Sequence, residues 1–182
     1  MSEQRLVYLD NNATTRVAPE VVEAMLPCLT EHWGNPSSAY SLAAEPARLI
    51  EEARERVARL IGANSRNIVF TSCGTECNNA VLQGATRANL AKRHIVTTAV
   101  EHSANIKFCR QLEKRGYEVT HLPVALAGAI DLCDLQAAIR TDTAIVSIMW
   151  AINETGVLFP IEEIAAICRR LGVLFHTDAV LV

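Results

Sequence analysis

The spacing of apolar positions along this chain changes period repeatedly, and the changes divide it into alternating short and long segments. Six short runs are β-branched or apolar at nearly every position: Leu6 to Leu9, Asn67 to Ser72, Ile95 to Val100, Val119 to Val124, Ala144 to Trp150 and Val173 to Thr177. Apolar character on both faces of so short a run predicts strands covered on both sides. Between them the apolar residues recur at spacings of three and four. That pattern predicts helices over Glu20 to Glu31, Glu45 to Ile61, Glu76 to Lys92, Ala104 to Arg115, Leu132 to Ile139 and Ile161 to Leu171.

The punctuation agrees with this division. Asp131 is placed to cap a helix, Pro160 to stand as a first helical residue, and Gly62, Gly116 and Gly172 to follow helix ends. Pro27 falls inside the first helix and is expected to kink it. In the second helix Glu51, Glu52 and Glu55 alternate with Arg54, Arg56 and Arg59, the pattern of a solvated face. Strands alternating with helices through short connections predict one α/β domain with a mainly parallel, helix-covered sheet and right-handed crossovers. Sheets of this kind bind ligands beyond the carboxyl ends of their strands.

Composition narrows the partners. With 182 residues, 50% hydrophobic and 20% charged, the chain has material for a real core, which excludes disordered and fibrous classes. A net charge of -3 and a pI near 6.0 create no field to hold nucleic acid or an anionic membrane. The longest apolar run, Ala144 to Ile152 with Ser147 inside it, is far short of the roughly 20 residues of a membrane helix. The stretch Met1 to Arg5 has no signal-like apolar segment, so a cytoplasmic location is expected. The cysteines at 28, 73, 77, 109, 133 and 168 are scattered through apolar or helical patterns without paired ligand motifs, so mostly reduced core thiols and no metal are expected.

Four expected carboxyl ends carry polar groups suited to chemistry. The segment Phe70-Thr71-Ser72-Cys73-Gly74-Thr75-Glu76 runs from a strand through a small-residue turn into a helix, which is the build of a phosphate cradle and equally of a capped turn. His102 follows a strand just before a helix, where its ring can stack on an aromatic ligand or cap that helix. Asn153 and Glu154 precede a turn at Gly156. Asp178 ends an otherwise apolar strand, where a carboxylate requires a partner such as a protonated heterocyclic nitrogen, or serves as a cap. Together these groups match the parts of pyridoxal phosphate: the cradle its phosphate, His102 its ring face, Asn153 its ring hydroxyl or the substrate, and Asp178 its pyridine nitrogen.

The ordered motifs Tyr8-Leu9-Asp10-Asn11-Asn12-Ala13-Thr14-Thr15, Gly34-Asn35-Pro36-Ser37-Ser38, Phe70 to Glu76, Glu101-His102, Asn153-Glu154-Thr155-Gly156 and His176-Thr177-Asp178-Ala179 resemble the N-terminal portion of the cysteine desulfurases, most closely the nitrogen-fixation type. The resemblance implies an incomplete large domain of the pyridoxal-phosphate, aminotransferase-like fold. Residues 1 to 182 would form its N-terminal part, without the rest of that domain or the C-terminal small domain. It implies that Gly74 and Thr75 hold the cofactor phosphate, that His102 stacks on the ring as a catalytic residue, and that Asn153 and Asp178 meet the ring hydroxyl side and nitrogen.

It further implies conversion of L-cysteine to alanine, with sulfur passing to an enzyme cysteine as a persulfide and on to a scaffold protein of iron–sulfur cluster assembly, in a homodimer. The family's Schiff-base lysine and persulfide cysteine fall beyond Val182, and Lys92, Lys107 and Lys114 match no such position, so this length alone is expected to be inactive. Tyr40, Ala43, Ile152 and Leu181 depart from the family pattern, and Leu181 removes a hydrogen bond expected from a Gln. The alternatives are an inactive truncated paralogue that binds cofactor or a partner, and a related enzyme such as a selenocysteine lyase.

Overall fold

The computed structural model describes residues 7–182, which divide into two compact units on either side of Phe70 and Thr71. In the first unit, helix α1 spans Pro19–Thr30 and helix α2 spans Ala44–Leu60, with single 3-10 turns at Ser41–Ala43 and Ser65–Asn67. Proline at the start of α1 costs no hydrogen bond, because that N–H would be unsatisfied in any helix. Helix α1 also continues through Pro27, whose carbonyl accepts the Glu31 N–H at 2.8 Å. Arg48 pairs with Glu45 and Glu52 along the solvated face of α2. Arg54 donates to the Ile68 carbonyl and lies over the Phe70 ring, fixing the segment that follows the second turn onto α2.

Two expected strands do not form ladders here. Leu6 lies outside the described residues, and residues 7–9 have no regular structure. The run Asn67 to Ser72 begins in a 3-10 turn capped by Asn64 and continues extended without a ladder partner, so it is not part of the sheet. Consecutive apolar residues specify an extended segment, but a strand also needs a neighbour for its N–H and C=O groups.

The second unit contains helices α3 (Gly74–Ala88), α4 (Ser103–Glu113), α5 (Leu132–Ala138) and α6 (Ile161–Leu171), and strands β1 (His94–Thr98), β2 (Glu118–Leu122), β3 (Thr143–Ser147) and β4 (Leu174–His176). The strands form one parallel sheet in the order β2-β1-β3-β4. Alternation along each strand divides the core. Ile95 and Ile145 pack with Leu82 and Ala85 of α3 and Cys109 and Leu112 of α4. Val96 and Val146 point the other way, onto Leu135 of α5 and Ile164, Ile167 and Cys168 of α6. Each fully buried Leu or Ile in these layers contributes roughly 1.5–3 kcal/mol.

The central strands β1 and β3 are buried throughout, as expected, whereas β2 and β4 keep partly exposed residues because each has only one neighbour. From β1 the chain crosses by α4 to β2 on one side, and from β3 it crosses by α6 to β4 on the other. The helices change face when the direction reverses, as crossovers of one hand require. The strand order therefore switches between β1 and β3. Asp131 caps α5 as expected, accepting the Cys133 N–H at 2.7 Å, and Gly172 ends α6 at φ 67°. Pro160 is the cap of α6 and not its first helical residue; its ψ of 70° lies outside the helical range.

Candidate functional site

The crevice at the strand-order switch is built by the way two strands part. The last paired residues of β1 and β3 are Thr97 and Ser147. Beyond them Ala99 donates to Leu122 at the end of β2 at 2.9 Å, while Ile148 and Trp150 donate to the carbonyls of His176 and Asp178 at 3.0 and 2.8 Å. One strand end follows β2 and the other follows β4, so a gap opens between them. A cavity of about 350 Å³ lies there, lined by Val100, Glu101, His102, Ser103, Ile106, Met149, Asn153 and Glu154. Its size falls within the range of small-molecule sites.

His102 and Asn153, named from the sequence, thus face one cavity from opposite strand ends. His102 also caps α4: its Nδ1 accepts the Ala104 N–H at 3.2 Å. That bond fixes the ring and, in the neutral form, leaves the proton on Nε2. Of the two roles weighed for this residue, the helix cap is the one this bond shows.

Gly74, Thr75 and Asp178 do not line this cavity. They belong to a neighbouring pair of segments, the start of α3 and the chain beyond β4. A Cβ on Gly74 would come within 2.9 Å of a Val180 methyl group, so the two segments are in close contact. At the N-cap of α3, Cys73 is extended, and Glu76 reaches back to accept the Ser72 N–H at 2.7 Å and hydroxyl at 2.6 Å. The backbone N–H groups of Glu76 and Thr75 and the Ser72 hydroxyl stabilise the Cys73 thiolate, lowering its pKa. The N–H groups that open this helix, those of Gly74 and Thr75 included, suit a phosphate.

Asp178 is held from two directions. Its Oδ2 accepts from Asn78 Nδ2 of α3 at 2.6 Å, and its Oδ1 accepts the Val180 N–H at 3.2 Å. Beside it, Thr177 Oγ1 is buried with no partner among the described residues.

Two residues that sequence reasoning left without a role stand out. Asn78, 4% exposed, orients Asp178 across 100 residues of sequence. Glu101, 5% exposed, accepts the Thr98 hydroxyl at 2.8 Å, the Met149 N–H at 3.0 Å and the Asn105 amide at 3.2 Å. Burial raises its pKa, and the charge of Asp178 acts in the same direction. Both residues were visible as polar letters in motif segments, but nothing in their local pattern marked them as buried.

The residues present fit pyridoxal phosphate. A helix N-terminus rich in N–H groups, a carboxylate, and a fixed imidazole opposite an amide are the kinds of group its phosphate, pyridine nitrogen and ring face need, and of these the imidazole and the amide line one cavity. Lys92, Lys107 and Lys114 do not line the cavity. A larger open groove of about 600 Å³ between α5 and α6 lies away from the parting strand ends, and among its charged and amide groups only Arg170 and Gln136 are paired, at 2.7 Å. It lacks the convergence of polar groups seen at the crevice. No helix of the described residues is long and apolar enough to cross a membrane.

Comparison with known proteins identifies the family. A model of the aminotransferase class-V family matches residues 7–181, and the chain belongs to that family. Cysteine desulfurase 2 of Trichormus variabilis is 54% identical over 175 residues, covering 96% of this chain and 44% of that protein. The cysteine desulfurase NifS of Azotobacter vinelandii is 47% identical over the same shares. A solved NifS-like protein superposes with a TM-score of 0.93 at 39% identity, over 97% of this chain and 49% of that one. The apo cysteine desulfurase of Thermococcus onnurineus superposes with a TM-score of 0.86 at 30% identity, over 95% and 44%. The chain thus spans somewhat under half the length of the curated relatives it matches.

Proposed function

We propose that this chain forms the N-terminal part of the large domain of a pyridoxal-phosphate-dependent cysteine desulfurase of the nitrogen-fixation type. The observation that carries this reading is the crevice between β1 and β3, where His102 and Asn153 line one cavity and the β3 continuation that forms one wall is bonded to Asp178, Trp150 N–H donating to the Asp178 carbonyl at 2.8 Å. When bound, pyridoxal phosphate supplies an electron sink for a carbanion at the substrate α-carbon. The N–H groups at Gly74 and Thr75 would hold its phosphate. Asp178, fixed by Asn78, would keep a proton on its ring nitrogen, and His102 would cover one face of the ring.

In the whole protein the substrate is L-cysteine, the product alanine, and the sulfur leaves as a persulfide on an enzyme cysteine for a scaffold protein of iron–sulfur cluster assembly. The Schiff-base lysine and that cysteine are assigned to residues that follow Val182, and the functional unit to a cytoplasmic homodimer. The names of the matched relatives, both cysteine desulfurases, support the reaction and its substrate.

The test has two arms. The 182-residue chain is titrated with pyridoxal phosphate, following cofactor absorbance and fluorescence; saturable binding is expected, with inorganic phosphate competing. Asp178→Asn and His102→Ala are each expected to weaken binding about tenfold, equivalent to ~1.4 kcal/mol. In the second arm the whole protein is assayed for alanine formed from L-cysteine. Binding indifferent to both substitutions would remove the site assignment, and absence of alanine would remove the substrate.

A further inference from the structure

Glu101 occupies the point where the sheet divides. In β3 and its continuation the N–H groups of Ile148 and Trp150 donate towards the β4 side. Met149 lies between them, so its N–H points to the β1 side, where pairing has already ended at Thr97 and Ser147. Glu101 Oε1 accepts that N–H at 3.0 Å together with the Thr98 hydroxyl at 2.8 Å. Its Oε2 accepts Asn105 Nδ2 in the first turn of α4 at 3.2 Å. One buried carboxylate therefore joins the end of β1, the continuation of β3 and the start of α4. An apolar side chain would fill the same space, but it would leave three buried donors unpaired.

We infer that Glu101 is the positioning residue of the crevice, a wedge that replaces the missing ladder bond between the parting strands and so fixes the walls that carry His102 and Asn153. Its effect on His102 is direct in the chain: the residue before the helix cap is pinned to β1, the β3 continuation and α4, while the cap's own ring is pinned to Ala104. The inference that the wedge serves cofactor binding rests on the function proposed above. The wedge itself does not.

Three variants of the 182-residue chain separate hydrogen bonding from filling. Glu101→Gln keeps an oxygen for Thr98 and Met149, and its amide can donate to Asn105 Oδ1, a buried atom with no partner among the described residues, once that amide turns over. Glu101→Met keeps volume without acceptors. Glu101→Asp keeps the charge but is one methylene too short to reach Met149.

Amide hydrogen exchange at Met149 is the first readout. It is expected to remain slow in Glu101→Gln and to become roughly tenfold faster in Glu101→Met and Glu101→Asp. Pyridoxal phosphate affinity is the second, within about twofold for Gln and about tenfold weaker for Met and Asp. Should Glu101→Met fail to fold, Glu101→Asp and Glu101→Gln decide the matter. A folded Glu101→Met or Glu101→Asp chain with a slowly exchanging Met149 amide overturns the wedge. If no chain binds the cofactor, wild type included, the proposed function fails while the exchange data still judge Glu101.

Discussion

Removing the Asn78 amide tests whether the start of α3 and the end of β4 are joined in energy as well as in space. Asn78 Nδ2 donates to Asp178 Oδ2 at 2.6 Å, and Asn78 is 4% exposed. A hydrogen bond to a charged acceptor contributes about 1.5–3 kcal/mol. Asp178 is half-buried, so water can solvate the abandoned carboxylate, which moves the expected value to the lower end, about 1.5 kcal/mol. Asn78→Ala alone also loses packing, so the pair term is best isolated by a double-mutant cycle with Asp178→Ala. Urea unfolding at pH 7 of the wild type, both single variants and the double variant gives the four free energies. A coupling of about 1–1.5 kcal/mol is expected, close to tenfold in the unfolding constant. If the two single effects add to the double within ~0.3 kcal/mol, the contact carries no coupling and the reasoning fails.

Other expectations follow from the same geometry. His94 is fully buried, its ring nitrogens 2.8 Å from the Thr143 and Thr120 hydroxyls, and burial lowers its pKa, as it does for His176. Both residues take up protons in the unfolded chain before they do so in the folded one, so stability is fully present above about pH 6.5 and declines as pH falls below it towards the folded-state pKa values. Urea midpoints across this range should show that slope, and His94→Gln should reduce it. Cys73, exposed and with a lowered pKa, should be alkylated by iodoacetamide well before the buried Cys109, pushed up to about 12, and Cys168, pushed up to about 11; saturating phosphate should slow the Cys73 reaction. Mass spectrometry of the alkylated peptides measures both effects. A Cβ on Gly34 would stand 2.3 Å from the Leu42 carbonyl oxygen, so Gly34→Ala should destabilise the first unit by about 1–3 kcal/mol, read by limited proteolysis of residues 7–70.

Periodicity in the sequence was enough to place most of the second unit. The expected helix from Ile161 to Leu171 matches α6 at both ends, and the four strands from Ile95 onwards lie within a residue or two of their expected starts. Each of these segments is specified by its own apolar spacing. Asn67 to Ser72 has the same apolar character but no ladder, because pairing depends on a second segment that no local pattern describes. The site divides along the same line. His102 and Asn153 could be named because carboxyl ends of parallel strands are where ligands bind. The bonds that position the site, Asn78 to Asp178 and Glu101 to Met149, join residues 100 and 48 positions apart. Only the fold brings them together, at positions that are buried or half-buried.

The strand order has a consequence for how the second unit acquires its structure. His94 in β1 meets Glu118 in β2 after a short excursion through α4, but it meets Thr143 in β3 only after the chain has passed out along β2 and returned through α5. Closing the longer loop costs more chain entropy before any pairing offsets it, and non-local parallel pairing is the slow part of folding. The β1–α4–β2 segment is therefore expected to collapse first, leaving the buried edge of β1 open until β3 arrives. The crevice lies along that late seam. Substitutions that weaken it would lengthen the interval in which β1 shows a bare apolar edge, and their first symptom in solution would be association during refolding, before any loss in the finished fold.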